Sequence, residues 1–195
     1  MNPLTSVKGT IVSSFVLALI VAFYFSTDSS SLFDEVGQRN LAIWLHALSG
    51  VTWVGLLYYF NFVQTPAMAE ALSDEGGPGP AAIGKYIAPK ALLWFRMAAA
   101  ATWLTGAWAL EMKYGFIDAF LFKTIYGASG DMIGLGAWLG TIMLFNVWVL
   151  IWPNQKKILG MVEASADEIA KAKFTAAMAS RTNVVLSVPM LLCMV

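Results

Sequence analysis

The stretch LAIWLHALSGVTWVGLLYYFNFV, residues 41–63, contains no Asp, Glu, Lys or Arg and one histidine, His46. At 1.5 Å per residue its 23 residues reach about 34 Å as a helix, enough to cross a hydrocarbon core of about 30 Å. Its apolar residues do not alternate as a half-buried strand would, and they continue well beyond the length of a buried one. On either side the pattern recurs. Gly9–Thr27 is free of charge between Lys8 and Asp28, and Met132–Gln155 is free of charge between Asp131 and Lys156. Residues 89–110 form a further apolar run broken only by Lys90 and Arg96. The chain as a whole is 58% hydrophobic and 12% charged, against about 45–50% and about 25% in soluble domains. These runs predict an all-α integral membrane protein.

The expected architecture is one transmembrane helical domain over residues 1–195. It is a bundle of about five helices, with spans near 9–27, 41–63, 89–110, 132–152 and 175–195. The first run is read as a retained helix, because it is long for a signal h-region and Ser26–Ser31 is a weak cleavage site. The second helix is expected to stop near Val63, ahead of Pro66 and the polar, glycine-rich Ser73–Pro80, and the fourth to stop at Pro153. The last apolar run has 14 residues after Arg181, a truncated span unless its helix begins upstream in 164–180.

Lys and Arg counts set the orientation. Lys8, Lys85, Lys90, Arg96, Lys156, Lys157, Lys171, Lys173 and Arg181 fall on one side, and Arg39, Lys113 and Lys123 on the other. Nine against three puts the N-terminus in the cytoplasm and the C-terminus outside. Trp103 and Trp108 at one end, with Trp148 and Trp152 at the other, are expected in interfacial belts. The 12 basic and 12 acidic residues balance, leaving no basic excess for nucleic acid. One cysteine, Cys193, excludes an internal disulfide, a Cys-based zinc site and a Cys-x-x-Cys-His heme attachment. No acidic residue falls within a span, which disfavours an ion-coupled pump or transporter.

The chemistry therefore concentrates on His46. An ionisable side chain at lipid depth is costly and is a functional candidate, and a neutral imidazole there can ligate a b-type heme iron. At helical spacing Gly50, Trp53 and Asn61 lie on its face, where Gly50 would admit a flat ring and Trp53 would wall it. A second axial ligand would come from methionine, from another subunit, or be absent. The other reading is a structural histidine giving one hydrogen bond across the bundle. Arg96 has two roles open, clamping an anionic group or snorkelling to the interface. Asn61 and Asn146 are expected to pair across the bundle or to contact a ligand. Gly136-x-x-x-Gly140 reads as a close helix contact.

Several blocks together resemble a known family. They are Trp44-Leu45-His46 with Thr52-Trp53-Val54-Gly55 and Tyr58-Tyr59, then Trp94-Phe95 with Thr102-Trp103-Leu104-Thr105-Gly106. Asn146-Val147-Trp148, Trp152-Pro153-Asn154-Gln155-Lys156-Lys157, Arg181-Thr182-Asn183 and Leu186-Ser187-Val188-Pro189-Met190 follow. This pattern, over about Leu41 to Val195, resembles the N-terminal membrane region of the bacterial membrane-anchored urate oxidases (urate hydroxylases). More loosely, a histidine early in a Trp-rich helix is similar to membrane b-heme families such as the bacterial heme-dependent protoporphyrinogen oxidases. The resemblance implies a bacterial inner-membrane protein, with His46 as the heme and metal ligand and Trp53, Asn61, Arg96 and Asn146 around it. Family members of full length carry further helices and a cytochrome c domain, whose Cys-x-x-Cys-His this chain lacks. The expectation is thus a membrane subunit of a redox or respiratory-type complex, associated with the bilayer and other membrane subunits, rather than an enzyme on its own. Two alternatives stay open: a cofactor-free structural or assembly subunit, and a truncated urate oxidase-type enzyme.

Overall fold

The computed structural model describes residues 2–25 and 34–194. The end of the first expected span, its cleavage site at Ser26–Ser31 and the terminal Val195 lie outside the described residues. Every regular element among the described residues is helical, as the long apolar runs require. After a short 3-10 turn at Pro3–Thr5, α1 spans Val7–Phe25. Helix α2 spans Glu35–Ser73, α3 comprises Ile83–Ile87 and Ala88–Tyr114, and α4 is the short Phe116–Phe120. Helix α5 spans Ala128–Ile158 and α6 Ala166–Leu192. Among the described residues three helices are long and apolar enough to cross a membrane by length and composition: α1, α2 and α5. The chain divides into two compact units, Met1–Leu41 and Ala42–Val195, with the boundary inside α2.

The second unit holds the candidate site. Its core interlocks four helices, α2 through Trp53, Val54 and Leu57, α3 through Phe95 and Ala99, α5 through Met143, Val147 and Ile151, and α6 through Ala179 and Met190. Helix α6 is one continuous 27-residue helix, so the apolar C-terminal run does begin upstream. Ser165 starts it with a capping box, its hydroxyl accepting from the Glu168 backbone N–H while the Glu168 carboxylate accepts from the Ser165 N–H. A stripe of Ala172, Ala176, Ala179, Asn183 and Ser187 is buried along it, at helical spacing. Such small side chains let neighbouring helices approach closely.

The expected helix stops are overrun. Helix α2 continues through Pro66 to Ser73, and α5 through Pro153 to Ile158. Helix α3 likewise begins ahead of Pro89. Proline removes one N–H and its ring clashes with the carbonyl four residues back. In all three helices a widened π turn precedes the proline: Phe60–Gln64, Ile83–Ile87 and Asn146–Ile151. In each, the residue just before the proline donates to a carbonyl five positions back: Thr65 to Phe60, Ala88 to Ile83, Trp152 to Val147. The extra residue in the turn absorbs the ring, so these prolines reshape the helices without ending them.

Candidate functional site

His46 sits on α2 facing α3. Its Nδ1 lies 2.8 Å from the Thr102 backbone carbonyl. A carbonyl oxygen only accepts, so Nδ1 carries the proton and donates, and in the neutral ring Nε2 is left with its lone pair. Nε2 makes no hydrogen bond to a described residue. Gly106, one turn along α3 from Thr102, makes room for the ring. A Cβ built there would stand 2.8 Å from His46 Cε1 and 2.9 Å from Nδ1, closer than real contacts allow. The imidazole is thus held edge-on against α3 by one hydrogen bond and one missing side chain.

His46 lines a cavity of about 480 Å³, within the usual range for a small-molecule or cofactor site. Trp53 and Trp103 form part of its wall, Lys113 lies among its lining residues, and Met190, Cys193 and Met194 come to it from the end of α6. Trp103 Nε1 donates to Thr141 Oγ1 at 2.9 Å, which ties this ring to α5. Trp53 is 2% exposed, and its Nε1–H is buried without a partner. A buried donor left unpaired costs about 1–3 kcal/mol.

The glycines of α5 take separate roles. A Cβ on Gly134 would collide with the Ala119 carbonyl of α4, and one on Gly136 would stand 2.8 Å from Cys193 Cβ. Gly140 has nothing within 4 Å of such a Cβ and lines the cavity. Both glycines of the expected Gly136–Gly140 contact motif line the cavity, and of the two only Gly136 is closed off by a neighbouring helix.

Of the six residues expected around a cofactor, His46 and Trp53 share the cavity, while Gly50, Asn61, Arg96 and Asn146 are not among its lining residues. Gly50 faces the Thr102 methyl at 3.7 Å. The Arg96 guanidinium stacks 3.6 Å from the centre of the Trp152 ring, a cation–π contact that neither clamp nor snorkel had described. Asn61 and Asn146 do not pair with each other. Asn61 Nδ2 donates to Ser180 Oγ and Asn146 Nδ2 to Asn183 Oδ1, each at 2.8 Å. Asn183 in turn donates to the Met143 carbonyl at 3.0 Å. Ser187 gives its proton to the Val184 carbonyl, so the Tyr58 hydroxyl donates to Ser187 Oγ at 2.9 Å. These bonds pin α6 to α2 and α5.

Thr102, Gly106 and Lys113 are site residues that the search for a cofactor face on α2 passes over. Their signal was spacing on a second helix, since positions 102, 106 and 113 recur on one face. Among the described residues no group of three or more His, Cys, Asp or Glu side chains could hold a metal ion, so a metal here would rest on His46 and on a ligand of its own. Away from the cavity, the bond from the Ser165 backbone, then that from its hydroxyl, then Lys157 hold the Glu168 carboxyl below its ordinary value.

No curated protein and no solved structure matches the chain. Residues 112–195 match the family model described as urate oxidase N-terminal. The matched part carries Lys113, Gly140, Met190 and Met194 of the cavity, while His46, Trp53 and Thr102 precede it. In these residues the chain resembles the N-terminal region of the urate oxidases.

Proposed function

We propose that the chain is a membrane subunit of a redox or respiratory-type assembly, built on the urate oxidase N-terminal pattern and holding b-type heme through Nε2 of His46. It would cross a bacterial inner membrane five times, with its N-terminus in the cytoplasm, as the charge asymmetry across the apolar runs suggests. One observation carries the cofactor reading. The His46 Nδ1–H is committed to a backbone carbonyl at 2.8 Å, which fixes the ring and leaves Nε2 for a metal, the usual outer support of a ligating histidine.

The residues present fit such a group. Gly106 clears the imidazole, Gly140 leaves wall without side chain, and Trp53 supplies an aromatic wall. Met190 and Met194 line the same cavity and would offer thioether sulfur, a known type of heme-iron ligand. When bound, heme supplies one-electron transfer. The chain's own part is to orient the ring, exclude water with Trp53, Trp103 and Leu110, and connect the site to neighbouring subunits. A reduced-minus-oxidised absorbance spectrum of the purified protein should show a b-type band that His46→Ala abolishes. No band in the wild type defeats the heme reading.

The family match over 112–195 favours a second reading, urate oxidation by a urate oxidase-type enzyme of which this is a part. Consumption of urate by the purified chain, lost in His46→Ala, would establish it. A flat spectrum and no turnover would leave a cofactor-free assembly subunit.

A further inference from the structure

The cavity has two chemically different ends. Thr102 and Gly106 fix His46 at one level of α3. Lys113 lies seven residues further along the same helix, about 10.5 Å by helical rise and on nearly the same face. Both line one cavity, and the α3 residues between them include Ala107, Ala109 and Leu110. Along α3 the wall is apolar from the imidazole to the cation, and Ser129 of α5 adds a hydroxyl to the lining.

Lys113 has no carboxylate partner among the described residues, where the one ion pair joins Lys157 to Glu168. Glu111, the nearest acid on α3, accepts from the Phe116 backbone N–H at 2.8 Å. The Lys113 ammonium is held 4.7 Å from the centre of the Tyr114 ring, and Tyr114 packs edge-on against Tyr126. Lys113 is exposed, so this cation, resting on an aromatic ring, stands at the solvent-facing end of the cavity, where a ligand of the opposite charge can pair with it. A neutral ring system would leave it unused.

We infer that the Lys113–Tyr114 end of the cavity takes the carboxylates of the bound ligand, so that a flat ring lies beside His46 with its anionic edge at Lys113. This rests on the heme reading and assigns Lys113 as the residue that selects a carboxylate-bearing porphyrin over a neutral one. Arg96, the cation singled out in the sequence, does not line the cavity.

The test titrates the full chain, freed of pigment in detergent, with hemin and with hemin dimethyl ester, the same ring without charge. Wild type should bind hemin about fivefold more tightly than the ester, the upper range for a partly solvated ion pair. Lys113→Ala should remove that preference by weakening hemin alone, and Lys113→Arg should keep it. Equal binding of both ligands to wild type, or a preference that survives Lys113→Ala, overturns the inference while leaving the heme reading intact. If neither ligand gives a His46-dependent spectrum, the heme reading fails and this inference falls with it.

Discussion

Gly106→Ala separates a placed histidine from an incidental one. The new Cβ would lie 2.8–2.9 Å from two atoms of the His46 ring, so the ring must leave Thr102 or the helices must part. Overpacking costs about 1–3 kcal/mol, and the lost hydrogen bond about 1 kcal/mol. Replacing glycine inside a helix returns about 1 kcal/mol. The net is a loss of about 2 kcal/mol, or about 4–8 °C in Tm for a chain of this size. Gly55→Ala is the internal control, because its Cβ meets nothing within 4 Å and only the helical gain remains. Thermal unfolding in a mild detergent, followed by circular dichroism, compares the two. The double variant Gly106→Ala with His46→Ala should recover much of the loss, because the clashing ring is gone. If Gly106→Ala is as stable as Gly55→Ala, the His46–Gly106 packing is wrong, and with it the fixed Nε2.

Three other outcomes follow from the same geometry. Asn183→Ala, at a fully buried position, strands the Asn146 amide and opens a void, and should cost about 2–4 kcal/mol. The double variant with Asn146→Leu should cost less than the sum of the two singles by denaturation. Trp53→Phe deletes an unpaired N–H and should cost under about 1.5 kcal/mol in the ligand-free protein, yet weaken ligand retention, read by spectrum after gel filtration. Glu168 has a folded pKa held below its unfolded one, so its cap is fully formed above the ordinary glutamate range and is lost as pH falls through the depressed value. Hydrogen exchange at residues 165–170 should speed up over that acidic window in wild type and show no such window in Glu168→Gln.

The helical class was legible because uncharged runs of helix-spanning length leave little choice to a backbone that must satisfy its own hydrogen bonds. Helix ends were not. Pro66 and Pro153 carry a strong stop signal, but a π turn accommodates each, and that turn depends on how the neighbouring helices pack. At the site, the cost of burying an imidazole singled out His46, and helical spacing brought Trp53 to its side. The partners of Asn61 and Asn146 were hidden because both lie on α6, which the sequence presents as a short run after Arg181. Thr102 and Gly106 were visible as a block, but their role appears only once α3 is laid against α2, since a glycine's meaning depends on what occupies its missing side chain's place.

The most direct test of heme ligation by His46 compares His46→Gly with and without added imidazole. Binding through Nε2 predicts a b-type difference band in the wild type, its loss in His46→Gly, and its return when free imidazole refills the gap. A wild-type band unchanged by the substitution, or no band at any stage, would contradict it.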